Sequence, residues 1–238
     1  MTRGMWSDTD FAGLPSISVA AHELKTPITL MRQLGLALQD ESLSEAQKAR
    51  YQQQLITTAD RALQLTADLA QVANLQPSLF PLEPVNPLAI CRAMAAEMRP
   101  MTHLYQRDIV WPRPSRHGLL AVANRRLLER IVANFVDNAL KYTEDGVPVR
   151  VGVQQNGDYV RVGVRDYGPQ LTLREYRRLV DEMAHAKTVR TRPESSGLGI
   201  FIASQFARVM YGTIGLIRHR DGVTFYVELP ISQQTSWL

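Results

Sequence analysis

Cysteine is nearly absent from this 238-residue chain, Cys91 being the only one. No intramolecular disulfide or multi-cysteine metal site can form, so the fold must rest on packing and hydrogen bonds, as is usual in a reducing compartment. Aromatic residues are sparse, at 7%. No run approaches the roughly 18 apolar residues that a membrane-spanning helix needs. The N-terminal stretch around Asp8 and Asp10 lacks the basic and apolar regions of a signal peptide. A cytoplasmic chain without a membrane span is expected. The basic residues behind the net charge of +4 are scattered. Without aromatic interleaving they form no nucleic-acid-binding pattern, although Lys187, Arg190 and Arg192 would suit phosphates. What remains is ordinary: 45% hydrophobic and 21% charged residues, in a chain long enough for two small domains.

Two long helices are predicted first. Over residues 16–39, Ile17, Leu24, Met31 and Leu38 recur every seven residues, with Ala20, Ile28 and Leu34 near the alternate positions. Over residues 44–75, Tyr51, Leu55, Thr58, Ala62, Leu65, Leu69 and Val72 step by four and three, the seam of a coiled-coil-like bundle. Ser42 with Glu45, or Ser44 with Gln47, offers a capping box after a short turn, so the helices should form an antiparallel hairpin. Two helices leave much of such a seam in water, and pairing of two hairpins into a dimeric four-helix bundle would cover it.

Pro77, Pro81, Pro84 and Pro87 then interrupt any helix. The predicted organisation is a hairpin over residues 1–76, a proline-rich linker over 77–87 and a second domain over 88–238. In the second domain, helices are expected from Asn86 to about Thr102, from Asn124 to Tyr142 and from Gly197 to Tyr211. Short strands are expected at Ile109–Trp111 and Leu119–Val122. Two hairpins should turn at Asn156-Gly157 and Asp221-Gly222. Helices segregated from hairpin-paired strands imply an α/β sandwich.

The residues able to do chemistry fall into separate groups. His22 lies on the first helix beside Glu23, with Thr26 one turn on and on the same face. Imidazole can attack as a nucleophile near neutral pH, and an adjacent carboxylate can hydrogen-bond one ring nitrogen and accept its proton. Pro27 weakens the helix just beyond. Asn134, Asn138 and Lys141 share one helix face, where amides can ligate Mg²⁺ and a lysine can meet phosphate, although a plain polar stripe reads the same way. Asp166 precedes Gly168, where the backbone can approach a ligand closely. Gly197-Leu198-Gly199 opens a helix whose N–H groups can face an anion. His103, His117, His185 and His219 lack ligand spacing and read as structural or exposed.

Taken in order, His22-Glu23-Leu24-Lys25-Thr26-Pro27, the Asn134 to Tyr142 face, Asp166-Tyr167-Gly168-Pro169 and Gly197-Leu198-Gly199 resemble the histidine kinases of two-component signalling across nearly the whole chain. The resemblance implies a dimerisation and phosphotransfer hairpin followed by an ATP-binding domain of the GHKL type. It implies ATP and Mg²⁺ as cofactors, Asn138 as the principal Mg²⁺ ligand, Asn134 in support, and Lys141 and Tyr142 lining the nucleotide site. It further implies that Asp166 accepts a hydrogen bond from adenine and that Gly168, Gly197, Leu198 and Gly199 border the nucleotide. Phosphoryl transfer to His22 and on to an aspartate of a response-regulator receiver domain is the implied activity. Thr26 would orient a water for dephosphorylating that partner, and the linker would let the ATP-binding domain reach the histidine. Only 21 residues precede His22, so a sensor would belong to a longer chain or to a partner.

Two departures stand out. Gln170 occupies the place of a usual second glycine, and Tyr176 is the nearest candidate for the lid's usual aromatic motif. A dimeric kinase-like module with weakened phosphorylation or mainly phosphatase activity therefore remains open. A GHKL ATPase needs a water-activating acid near the asparagine helix, and Glu129 matches that need poorly.

Overall fold

A computed structural model describes residues 17–113, 119–184 and 198–233. The chain divides into two compact units, Met1–Leu75 and Gln76–Leu238.

The first unit is the helical hairpin. Helix α1 spans Ile17–Ala37 and α2 spans Glu45–Ala73. Of the two candidate caps, Ser44 is used: its side chain accepts from the Gln47 N–H while the Gln47 side chain accepts from the Ser44 N–H. The turn before it is pinned by Asp40, whose Oδ1 accepts from the Ser42 hydroxyl at 2.6 Å and the Ser42 N–H at 2.9 Å. Those bonds, the hydroxyl first, hold the Asp40 carboxyl below its usual value. Of the expected seam, Leu34, Thr58, Ala62 and Val72 are buried. Leu24, Met31, Leu38, Leu55, Leu65 and Leu69 are half-buried. Ile28, expected near the seam, is exposed.

The second unit is a two-layer α/β sandwich. Its strands are β1 (Glu83–Val85), β2 (Ile109–Val110), β3 (Ala121–Ala123), β4 (Val149–Asn156), β5 (Tyr159–Arg165), β6 (Thr213–His219) and β7 (Gly222–Pro230). Its helices are α3 (Pro87–Glu97), α4 (Arg99–Tyr105), α5 (Arg125–Tyr142), α6 (Leu173–Ala184) and α7 (Leu198–Val209). The main sheet runs β2-β4-β5-β7-β6, with β2 parallel to β4 and every other pair antiparallel. Alternation decides its faces. Val160, Val162 and Val164 of β5 and Phe225, Val227 and Leu229 of β7 point into the core, against Leu127, Ile131 and Phe135 of α5 and Ile202 and Phe206 of α7. The rings of Phe135 and Phe225 meet at 6.0 Å between centroids. The opposite face is polar, with Arg161 of β5 ion-paired to Glu228 of β7 at 2.7 Å.

Several expectations need correction. The single helix from Asn86 to Thr102 is two, α3 and α4, because Pro100 has no N–H to bond the Ala96 carbonyl and its ring would clash there. Residues 83–87 belong to the second unit: β1 pairs with β3, and Asn86 caps α3 by accepting from the Leu88 and Ala89 N–H groups. Both hairpins turn one residue away from expectation, at Gly157-Asp158 and Arg220-Asp221, since Asn156 pairs with Tyr159 and His219 with Gly222. Helix α6 was not expected at all.

Candidate nucleotide and phosphoacceptor sites

Helix α5 builds most of the second unit's candidate site. Asn124 caps it by accepting from the Leu127 N–H and ties it to the rest of the unit by donating to the Pro81 carbonyl at 3.1 Å. With Leu127, Leu128, Ile131, Phe135 and Leu140 buried on one side, Asn134, Asn138, Lys141 and Tyr142 must emerge on the other. Asn134 is half-buried under the first turn of α7, where a Cβ on Gly199 would lie 3.8 Å from its amide. The Asn134 Nδ2 is buried and has no hydrogen-bond partner among the described residues. An orphaned amide beside N–H groups at a helix start suits an anionic group with its cation. Leu198 is fully buried and anchors that turn, and Gly197 lies outside the described residues.

Lys141 is ion-paired to Asp137 at 2.8 Å and largely exposed, and Tyr105 donates to the same carboxylate at 3.4 Å. A phosphate would therefore share Lys141 with Asp137. Among the described residues no group of three His, Cys, Asp or Glu gathers to hold a metal. A Mg²⁺ here would rely on amide oxygen, phosphate and water, a set that suits this hard cation.

The end of α5 is stitched to the Asp166 loop. Buried Thr143 accepts from the Tyr167 N–H at 3.2 Å, and the Glu144 N–H donates to the Tyr167 carbonyl at 3.1 Å. Asp166 is 3% exposed, and its Oδ1 accepts from the Val223 N–H at 2.9 Å and the Gly168 N–H at 3.3 Å. Its own N–H donates to the Val223 carbonyl. This closeness demands Gly222, at φ 124°, since a Cβ there would overlap the Asp166 carbonyl oxygen and come within 2.6 Å of Oδ1. Thr143, Gly222 and Val223 were missed as site-supporting residues. Asp221-Gly222 was legible as a turn, but no spacing shows which carboxylate it abuts. Gly168 is buried beside Asp166.

Past Gly168, the Gln170 amide donates to the His219 carbonyl at 3.5 Å, and the Arg218 guanidinium donates to the Leu171 carbonyl. Thr172 and Glu175 then form a capping box for α6, whose Leu179 and Met183 are buried. That signature, with Tyr176, Leu179, Val180 and Met183 at helical spacing, was the available signal for α6. Tyr176 is half-buried on it. Lys187, Arg190 and Arg192, with His117 and His185, lie outside the described residues. His103 is exposed, and the His219 Nε2 meets the Thr224 hydroxyl at 2.9 Å.

In the first unit, His22 and Thr26 are exposed on α1, and the Thr26 hydroxyl donates to the His22 carbonyl at 3.4 Å. Pro27 sits inside α1 and leaves the Glu23 carbonyl without its usual N–H partner. Glu23 is half-buried, and no hydrogen bond joins it to the His22 ring. Adjacent residues on a helix diverge by about 100°, so the expected contact would require a rotamer change.

The comparisons agree with this architecture. Residues 123–233 match the family described as histidine kinase-, DNA gyrase B-, and HSP90-like ATPase. The chain is 30% identical over 226 residues to the sensor protein SphS of Synechococcus elongatus, a match covering 90% of this chain and 54% of SphS. It is also 30% identical to the swarming motility regulation sensor protein RssA of Serratia marcescens, covering 90% of this chain and 45% of RssA. The chain thus spans about half the length of these curated relatives. Its fold is like that of full-length ShkA, solved in complex with AMPPNP, at TM-score 0.58 and 23% identity over 94% of this chain and 48% of ShkA. It is equally like the histidine kinase AdeS of Acinetobacter baumannii, at TM-score 0.57 and 17% identity over 89% of this chain and 98% of AdeS.

Proposed function

Since the chain belongs to the two-component histidine kinase family and carries its ATP-binding domain, we propose that it phosphorylates His22 from ATP. The phosphoryl group then passes to an aspartate of a response-regulator receiver domain. The observation that carries the reading is half-buried Asn134, whose buried amide nitrogen has no partner among the described residues, against the start of α7 and on the helix that is also stitched to the Asp166 loop. In this reading Asp166, held in orientation by the Val223 and Gly168 N–H groups, accepts from the adenine amino group. Asn138, supported by Asn134, would hold Mg²⁺, and the cation would supply charge neutralisation for the phosphates. Lys141, Tyr142, Gly168, Gly197, Leu198 and Gly199 border the nucleotide.

In the transfer itself, an imidazole nitrogen of His22 bonds to the γ-phosphorus as the bond to the bridging oxygen breaks and ADP leaves. Glu23, after rotating toward the ring, takes the proton from the other nitrogen. Positioning and charge neutralisation supply most of the rate in such transfers. The exposed apolar residues Ile28, Leu36, Ile56 and Leu63 support pairing of two hairpins into a homodimeric four-helix bundle. In this reading the Thr26 hydroxyl leaves its long bond to the His22 carbonyl and orients a water that dephosphorylates the regulator.

The runner-up, a kinase-like module with weakened phosphorylation, draws on Gln170, which ties the loop after Gly168 to the β6–β7 turn. Against a simple ATPase stands Glu129, which is ion-paired to Arg125 at 2.9 Å. Calorimetry of Mg·ATP binding tests the pocket: Asn138→Ala and Asp166→Ala should each weaken binding at least about tenfold, the scale of one lost charge-assisted contact. Unchanged affinity in both variants would refute it.

A further inference from the structure

Helix α6, helix α7 and edge strand β6 line an open-sided cavity of about 330 Å³ that none of Asn134, Asn138 and Asp166 lines. Val180 and Met183 of α6 and Leu216 of β6 give it apolar walls, and Tyr176, Arg208 and Tyr226 bring polar groups to them. Tyr226 is held there by its neighbours. It pairs with Gly215 across β6 and β7, and a Cβ on Gly215 would overlap the phenol end of the ring. The Arg161 guanidinium lies over the same ring at 4.1 Å. The ring therefore lies across the glycine, and its hydroxyl reaches the edge strand.

Among the described residues, neither the Arg208 guanidinium nor the Tyr176 or Tyr226 hydroxyl has a hydrogen-bond or ion-pair partner. No aspartate or glutamate is among the cavity's described lining residues. The cavity thus joins one cation and several hydroxyl donors, those of Ser204 and Thr213 included, to apolar walls with no carboxylate among the described lining residues, and its volume lies at the lower end of the small-molecule range. We propose that it binds a small monocarboxylate with an apolar body: the carboxylate meets Arg208 and a tyrosine hydroxyl, and the body packs against Val180, Met183 and Leu216. The site is independent of the nucleotide pocket.

Titration of the whole chain, without nucleotide, with phenylacetate and with its neutral counterpart phenylacetamide tests this. Phenylacetate should saturate with a Kd on the order of 1 mM, the range open to a fragment of this size, and bind at least about fivefold more tightly than the amide. Arg208→Gln should raise the phenylacetate Kd about tenfold and leave the amide unchanged, because only the acid gains from the guanidinium. Val180→Trp, at a position 43% exposed, should crowd the cavity and weaken both probes. If that variant unfolds early, the acid-to-amide ratio in Arg208→Gln decides alone, since Arg208 is exposed and its loss leaves the core intact. Equal binding of acid and amide to the wild type, an Arg208→Gln titration that superposes on the wild type, or no saturation by about 20 mM, far weaker than fragment binding, would each overturn the proposal.

Discussion

The helical hairpin and the α/β sandwich differ most in how completely each covers its own apolar surface. Among the described residues of the hairpin, the buried apolar side chains are Leu34, Ala62 and Val72, each 7–9% exposed, beside the polar Thr57, Thr58 and Asp68. Ile28, Ile56 and Leu63 of the same unit are 55%, 53% and 70% exposed. The sandwich instead brings Leu127, Ile131, Phe135 and Phe206 to 1% exposure or less. A helix pair can bury only one stripe of each helix, whereas a sheet packed under helices closes a core from both sides. The residues proposed to hold the nucleotide therefore sit on a self-sufficient scaffold, and His22, the proposed acceptor, sits on an element that leaves Ile28, Ile56 and Leu63 for a second copy to cover in the proposed dimer.

The largest expected effect lies in the sandwich core. Phe135→Ala should destabilise the second unit by about 3–5 kcal/mol, the cost of removing a fully buried aromatic ring. Urea unfolding followed by helical and tryptophan signals should then show the hairpin unaffected. A single transition carrying both units down together would break the comparison. Next, Ile56→Glu with Leu63→Glu should weaken hairpin self-association by roughly tenfold to a hundredfold, since charges would have to be buried at the interface. Sedimentation equilibrium measures it, and an unshifted monomer–dimer balance would mean that those side chains do not form the contact.

Thr26→Ala should separate the two activities proposed for one helix. Autophosphorylation should stay within about threefold while dephosphorylation of the cognate regulator falls about tenfold, the scale of one group handling an attacking water. Superposed decay curves of the phosphorylated regulator, with a wild type that clearly accelerates decay, would remove Thr26 from that role. The smallest effect concerns Cys91. Burial pushes its thiol up from the usual 9.0 to about 12, so the folded state keeps its proton after the unfolded state has lost it. The second unit should lose stability as pH rises from 9.0 toward 12. Near pH 8 the native thiol should resist alkylation that urea makes rapid. Fast native labelling would show that Cys91 is not part of the closed core.

Periodic and chemically distinctive features are legible in the sequence. The two hairpin helices, the Ser44–Gln47 box, the β4–β5 and β6–β7 pairings and the polar face of α5 all follow from local spacing. The failures came where a local signal competes with tertiary context. Pro100 divides a run whose apolar period continues through it. Helix α6 hid in a stretch with exposed Arg174, Arg177 and Arg178 on its outer side, though Leu179 and Met183 kept the helical period. Glu83–Val85 looked like linker because a three-residue edge strand that includes Pro84 is made by its partner β3. At the candidate site, the spacing of Asn134 and Asn138 shows a shared helix face that a plain polar stripe would match as well, and their proposed roles, like that of Asp166, come from the family resemblance. Gly222 and Thr143 act by touching residues distant in sequence, Gly222 through a backbone approach and Thr143 through one hydrogen bond, and neither is written in a one-dimensional pattern.

The most direct test of the central claim, that the nucleotide and the acceptor belong to different units, is phosphoryl incorporation from ATP in the wild type and in His22→Ala, with ATP affinity measured on both proteins. The account predicts an acid-labile, base-stable label on the wild type, complete loss of that label in the variant, and ATP affinity unchanged within about twofold, because His22 contributes nothing to nucleotide binding. Label that persists on the variant would assign the acceptor to another residue, and ATP affinity that falls with the label would contradict the separation of the two sites.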